Sequence, residues 1–194
     1  MTQNGTREHI IQTGAELILR NGFRATGINT VLDEAAVPKG SFYYYFKSKN
    51  EFGLAVIESY AASYEERLDA TVGDRSRTPL ERIRRYFDEA TSDIVANDFS
   101  KGCLIGNLGQ ELAAQNDTFR ERLNRVFADW ERRFRDCIIE GQERGEVTPT
   151  VDPDAAASLL LSGWQGALLR SKLTRSTTPL QYFQELLFTR VLEA

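Results

Sequence analysis

The chain has 194 residues, 41% of them hydrophobic and 27% charged, with a formal net charge of −4. That length holds one ordinary domain or a small one joined to a larger one, and the composition excludes a disordered chain. No run approaches the roughly 18 apolar residues of a membrane-spanning helix, and the polar start from Met1 to Thr6 lacks the apolar core of a signal peptide, so the expected location is the cytoplasm.

The predicted elements are all helical. The first helix is expected from near Thr6 to Asn21, with Ile10, Gly14, Leu17 and Ile18 on its buried stripe and Gly22 as a left-handed C-cap. His9, the single histidine, reads as an exposed helix residue, and its isolation excludes a site needing two imidazoles. Ile28, Val31, Leu32 and Ala35 mark a second helix, which Pro38 ends by forcing the preceding residue out of the α region. Lys39 to Phe46 is a short third helix anchored by Phe42 and Phe46, four residues apart. Ser48 and Glu51 form a capping box that opens a fourth helix, Lys49 to about Ala70.

Beyond a loop at 73–77, Thr78, Pro79 and Glu81 combine a cap, a first-turn proline and a reciprocal glutamate at the start of a fifth helix. Ile83, Tyr86, Phe87, Ala90 and Ile94 give its inner face, and Arg82, Arg84 and Arg85 read as a solvated face. Residues 97–102 break the chain before a sixth helix, Cys103 to Ala114. The seventh and longest starts at Asn116–Asp117, runs to about Arg144 and stops at Gly145. Asp152–Pro153 opens the eighth, to about Leu173, and Thr178–Pro179 the ninth, to Leu192. The fold class is all-α with about nine helices: residues 1–48 a helix-turn-helix domain, residues 49–194 a larger helical domain.

Residues 27–51 are the functional centre of this reading. Two short helices joined by a tight break let the second enter a DNA major groove while the first crosses the backbone. Lys39, Lys47 and Lys49 suit phosphates, Ser41 can donate or accept, and tyrosines offer a hydroxyl and an apolar ring. Patterning alone fits an ordinary N-terminal subdomain equally well. The charge is divided in a compatible way: residues 1–50 hold six Lys/Arg against four Asp/Glu, a surplus of two positive charges, so the rest carries six negative ones.

The run Val37-Pro38-Lys39-Gly40-Ser41-Phe42-Tyr43-Tyr44-Tyr45-Phe46-Lys47-Ser48-Lys49 resembles the recognition-helix signature of the TetR family of bacterial transcriptional regulators. Residues 27–36 and 14–26 fit the same pattern. Two positions depart from it: Gly27 stands where a hydroxyl residue commonly caps the second helix, and Ala36 where the turn usually has glycine. The resemblance implies a DNA-binding set of Arg7, Gly27, Thr30, Lys39, Gly40, Ser41, Tyr43, Tyr44 and Lys49. Taken by itself, Arg7 reads first as a solvated arginine and only second as a phosphate contact. The resemblance also implies a homodimer through the last two helices, matched to a palindromic operator in double-stranded DNA.

Catalysis has no constellation to stand on: neither a phosphate-cradling loop, nor a dinucleotide fingerprint, nor a metal-ligand pair is present, and no cofactor is expected. Cys103 and Cys137 are too far apart for a metal knuckle, and a reducing compartment argues against a disulfide. The resemblance implies an effector pocket in the body, with Phe99, Cys103, Phe127, Trp130 and Trp164 as candidates, each otherwise a core residue. Cys103 sits at an expected helix start beside Lys101, where the thiolate is favoured. Lys101 to Asn107 is similar to the segment holding the reactive cysteine of electrophile-sensing members. The other reading of Cys103, like that of Cys137, is a small buried hydrophobe.

The expected function is a regulator, most readily a repressor, that releases its operator when a small-molecule or electrophilic effector acts on the body, with the fourth helix as the lever. The alternatives are a constitutive DNA binder and a helical protein-interaction module.

Overall fold

A computed structural model of the chain describes residues 3–193; Met1 and Thr2, which open the polar N-terminal stretch, and Ala194 lie outside the described residues. Nine α-helices form among the described residues: α1 (Gln3–Asn21), α2 (Ile28–Glu34), α3 (Lys39–Tyr45), α4 (Lys49–Ala70), α5 (Pro79–Ala96), α6 (Leu104–Leu112), α7 (Asp117–Glu143), α8 (Pro153–Thr174) and α9 (Thr178–Leu186). None is long and apolar enough to cross a membrane.

The helix ends follow local chemistry. Gly22 closes α1 at φ +84° and Gly145 follows α7 at φ +74°, both in the left-handed region. Thr78 and Glu81 make the reciprocal capping box of α5, with Pro79 in its first turn. Asp152 caps α8 through the Ala155 N–H. The box at α4 is shifted: Ser48 Oγ accepts from Glu51 N at 3.1 Å, but the Glu51 carboxylate accepts from Lys47 N at 2.8 Å. The ninth helix also differs from its expected form. After Leu186 it widens into a π-helical stretch, Leu187–Leu192, whose five-residue repeat turns Leu187 and Leu192 together into the core.

The chain divides into two compact units. One runs up to Ser63 and takes in Cys103–Arg125; the other holds Tyr64–Gly102 and the chain from Val126 on. Helices α4 and α7 therefore each contribute residues to both.

In the first unit, Phe42, Phe46 and Phe52 form a ring triangle with centroids 5.2 to 5.5 Å apart, which fixes α3 against the start of α4. Gly14 lets α4 approach α1 closely, since a Cβ there would lie 2.2 Å from Phe52 Cζ. Phe23 packs on Phe119 at 5.3 Å. His9 departs from the exposed residue expected. It is half-buried, and its Nε2 lies 3.1 Å from the Ala35 carbonyl oxygen, tying α1 to the end of α2.

One carboxylate holds the α1–α2 connection. Glu111, on α6, accepts from Phe23 N at 2.8 Å through Oε2 and from Arg24 N at 2.7 Å through Oε1. Gly22 lies directly under this clamp, with Glu111 Oε2 3.1 Å from where a Cβ would be.

In the second unit the rings form a continuous set. Tyr64 stacks on Trp130 at 4.1 Å, Tyr86 meets Phe134 at 5.0 Å, and Phe87 contacts both Trp164 (4.8 Å) and Phe183 (5.5 Å). Gly163 admits Phe183 of α9 against α8, because a Cβ there would be 2.5 Å from its ring. Arg82 overturns the reading of a solvated face: it is 3% exposed and paired with Glu140 on α7 at 2.8 Å.

The geometry of the head sets two expected outcomes. Ala36 occupies the α2–α3 turn at φ +53°, a conformation that costs a residue with a Cβ roughly 1–2 kcal/mol. Part of that gain is returned as unfolded-state entropy, so Ala36→Gly is expected to stabilise by about 0.5–1 kcal/mol and raise the Tm by about 2 °C; an unchanged or lower melting temperature counts against the strain. Glu111→Ala removes two charge-assisted acceptors and is expected to cost roughly 1–3 kcal/mol. Hydrogen exchange at the Phe23 and Arg24 amides reads this directly, and unchanged protection there would show that the clamp is not what holds the loop.

Candidate nucleic-acid interface and sensor

The short α3 presents two sides. Phe42, fully buried, and Phe46, just beyond the helix, hold it down, leaving Tyr43 and Tyr44 68% and 69% exposed. Lys39 and Gly40 are exposed beside them, and the space around Gly40 is open, with nothing within 4 Å of where a Cβ would sit. Ser41 is half-buried. Tyr43 stands edge-on to Phe42 at 5.4 Å, so its ring is steadied from below while its hydroxyl end remains outward.

The other residues read as DNA-facing divide into two kinds. Gly27 and Thr30, at the start of α2, are exposed, and Gly27 serves as the N-cap without any side-chain hydrogen bond. Arg7 is exposed, with its guanidinium 5.2 Å over the Phe46 ring. Lys49 is half-buried and already engaged: Nζ donates to the Arg24 carbonyl oxygen at 3.1 Å and lies 4.8 Å over Phe23. Burial lowers its pKa from the ordinary lysine value, and the charge of Glu111 opposes that shift. Lys49 and Glu111 thus grip the same connection, one at the Arg24 carbonyl and the other at the Phe23 and Arg24 amides.

Cys103 is the N-cap of α6, as its sequence context indicates, and its Sγ accepts from Gly106 N at 3.5 Å. It is 7% exposed and, like Cys137, takes part in no disulfide. Cys103 and Glu111 are carried by the same short helix, so anything that moves the start of α6 pulls on the clamp eight residues later. Neither the sulfur's surroundings nor the clamp's target is signalled by spacing along the chain, because Glu111 and Phe23 are 88 residues apart.

The remaining sensor candidates fall in the second unit. Trp130 and Trp164 are buried, Phe127 is half-buried and edge-on to Trp130 at 5.7 Å, and Phe99 is half-buried in the turn after α5 at φ +53°. The ring set joins Phe127, Trp130 and Trp164 through Tyr64, Tyr86, Phe134 and Phe87. Two polar features escaped the sequence reading. The hydroxyls of Tyr64 and Tyr86 hydrogen-bond to each other inside this set. The Trp130 indole N–H is buried there with no acceptor among the described residues. Cys137 is part of a different arrangement: burial pushes its thiol pKa up, while the hydrogen bond from Arg82 opposes that.

Comparisons with known proteins bear on the family and the fold. Residues 10–56 match the family described as bacterial regulatory proteins, tetR family, and residues 79–187 match the tetracyclin repressor-like C-terminal domain. The HTH-type transcriptional repressor DhaR of Mycobacterium sp. (strain GP1) is 35% identical over 192 residues, covering 99% of this chain and 95% of DhaR. The HTH-type transcriptional repressor NemR of Escherichia coli (strain K12) is 32% identical over 93% of this chain and 90% of its own. The crystal structure of its reduced form superimposes with a TM-score of 0.86 at 30% identity, covering 97% of each chain. A regulatory protein TetR from Rhodobacter sphaeroides superimposes with a TM-score of 0.91 at 39% identity, over 95% of this chain and 97% of that one. With exposed tyrosines on a helix-turn-helix head and a helical body matched from end to end, the chain belongs to the TetR family of DNA-binding transcriptional regulators.

Proposed function

We propose that this chain is a cytoplasmic, homodimeric repressor whose residues 1–48 read a palindromic operator and whose residues 49–194 sense an effector and dimerise. Regulators of this family bind DNA operators and small-molecule effectors, and relatives of this chain are named transcriptional repressors. The observation that carries the reading is the outward display of Tyr43, Tyr44 and Lys39 from a helix pinned by Phe42 and Phe46. In this arrangement Tyr43 and Tyr44 meet base edges, while Ser41 and the backbone at Gly40 approach the duplex closely. Lys39, Arg7, Thr30 and the amide end at Gly27 meet phosphates. Lys49 contributes its remaining N–H groups from the base of the head.

Dimerisation is supported by a face that one copy leaves uncovered. Leu159, Leu169 and Leu173 of α8 are exposed, with the small Ser162 and Gly166 at intervening turns of the same face, and Tyr182 and Leu186 of α9 are exposed too. Spacings of three and four along α8 keep the stripe on one side, and a two-fold axis would bury it against its own copy. Two heads about 34–36 Å apart then match one turn of DNA.

Release of the operator is a population shift. Moving from 99:1 to 1:99 requires about 5.5 kcal/mol of differential affinity. The Tyr64–Tyr86–Trp130 set offers a small molecule two hydroxyls and a free indole N–H among aromatic rings. Cys103 supplies a second trigger: its thiolate adds to the β-carbon of an α,β-unsaturated carbonyl compound, an S–C bond forms as the C=C π bond breaks, the resulting enolate takes a proton from water, and α6 transmits the displacement to residues 23–24 through Glu111. A relative, NemR, has a structure described as its reduced form, which supports a redox-sensitive thiol here.

Footprinting on the region upstream of the chain's own gene tests the interface. Tyr43→Ala is expected to weaken specific binding by roughly tenfold or more while leaving non-specific binding intact. Lys39→Ala is expected to weaken binding on every sequence and to reduce the slope of log K against log salt by about 0.9 for each phosphate it no longer neutralises. Variants that both bind like the parent would remove α3 from the interface.

A further inference from the structure

The buried arginine of α5 takes no part in the DNA-reading head or in the aromatic set. Arg82 is 3% exposed, and a guanidinium taken out of water needs acceptors for its five N–H groups. Its Nη2 serves two of them, donating to Cys137 Sγ at 3.0 Å and to Glu140 Oε2 at 2.8 Å. Nε and Nη1, which carry the other three, are buried with no partner among the described residues. Arg82 lines a cavity of about 380 Å³ formed by the end of α4 and its following loop, the start of α5 and the later turns of α7.

The lining settles the sign of an occupant. Its carboxylates are already matched: Asp69 by Arg133, Asp136 by Arg135, and Glu140 by both Arg82 and Arg144. The groups left over are donors, namely Nε and Nη1 of Arg82, and the exposed Arg75 adds a further guanidinium to the wall. A cation would sit among three arginines with every lining acid taken. A water molecule supplies an acceptor but no charge.

We propose that this cavity binds a small oxyanion, the carboxylate or phosphate group of a small molecule, held by Arg82 and Arg75. Nε and Nη1 lie under a closed surface, so the guanidinium turns its idle edge toward the cavity as the anion enters, keeping Nη2 on the Glu140 side chain. None of the cavity's lining residues belongs to the aromatic set.

The test uses the purified full chain, titrated with sodium acetate and with sodium phosphate, and with sodium chloride at equal ionic strength as the control. The arginine side-chain Nε–H resonances are followed by NMR, and that of Arg82 is identified by its disappearance in Arg82→Lys. Because that variant loses a buried guanidinium and can fail to fold, Arg75→Ala, at an exposed position, is the second handle. Saturating movement of the Arg82 signal with acetate alone assigns a carboxylate, and with phosphate alone a phosphate group; either supports the site. Arg75→Ala is then expected to raise the Kd roughly tenfold. Movement that is the same in chloride, no movement with either oxyanion, or Arg75→Ala binding as tightly as the parent overturns the proposal.

Discussion

The carboxylate of Glu111 is the interaction that holds the α1–α2 connection in place. A connection between two helices normally leaves backbone N–H groups to water. Here the two that follow Gly22 are taken by one side chain of α6, at 2.8 and 2.7 Å. Gly22 at φ +84° aims them there, and Lys49 fixes the far end of the same dipeptide through the Arg24 carbonyl oxygen. The α1–α2 connection is thus held from α6 and from α4 at once, and Phe23 is locked on Phe119 of α7 beside it. A helix-turn-helix head that would otherwise ride on its own small core is tied to helices that belong to the body in sequence but to the head in packing.

In the mechanism proposed above, that tie is what would carry a change at Cys103 to the α1–α2 connection. Cys103 caps α6 and Glu111 lies in its last turn, about two helical turns further on. A rigid short helix moves as a piece, so a group added at the cap alters the clamp without any contact with DNA. The aromatic set lies in the second unit, and Tyr64 and Trp130 belong to α4 and α7, the two helices whose other ends belong to the first.

What could be read along the chain was whatever chemistry is local. Caps such as Thr78–Pro79–Glu81 and Asp152–Pro153, stops such as Gly22 and Gly145, and the Phe42–Phe46 pair all act within a few residues, and the helices they bound stand where those signals put them, whereas the widening of α9 after Leu186 carries no such local mark. The departure at Ala36 was also visible locally, and the structure gives it a physical form, a left-handed turn borne by a residue with a Cβ. What could not be read was which face of a helix meets which partner far away in sequence. Arg82 looked like a solvated arginine among Arg84 and Arg85, yet α7 covers it and supplies Glu140 and Cys137. Glu111 carried no local signal, since its partners are 87 and 88 residues distant. His9 reads as exposed along the chain for the same reason, because its partner, the Ala35 carbonyl at the end of α2, is 26 residues away.

The most direct test of the coupling is operator affinity before and after reaction with N-ethylmaleimide, in a Cys137→Ser background so that Cys103 is the sole thiol. With Glu111 present, modification is expected to lower affinity roughly tenfold or more, a typical coupling between sites. With Glu111→Ala, affinity is expected to be reduced at the outset and to change less than about threefold on modification. Full parental affinity together with a full response in the Glu111→Ala protein would contradict the account, because α6 would then reach the head by some other path.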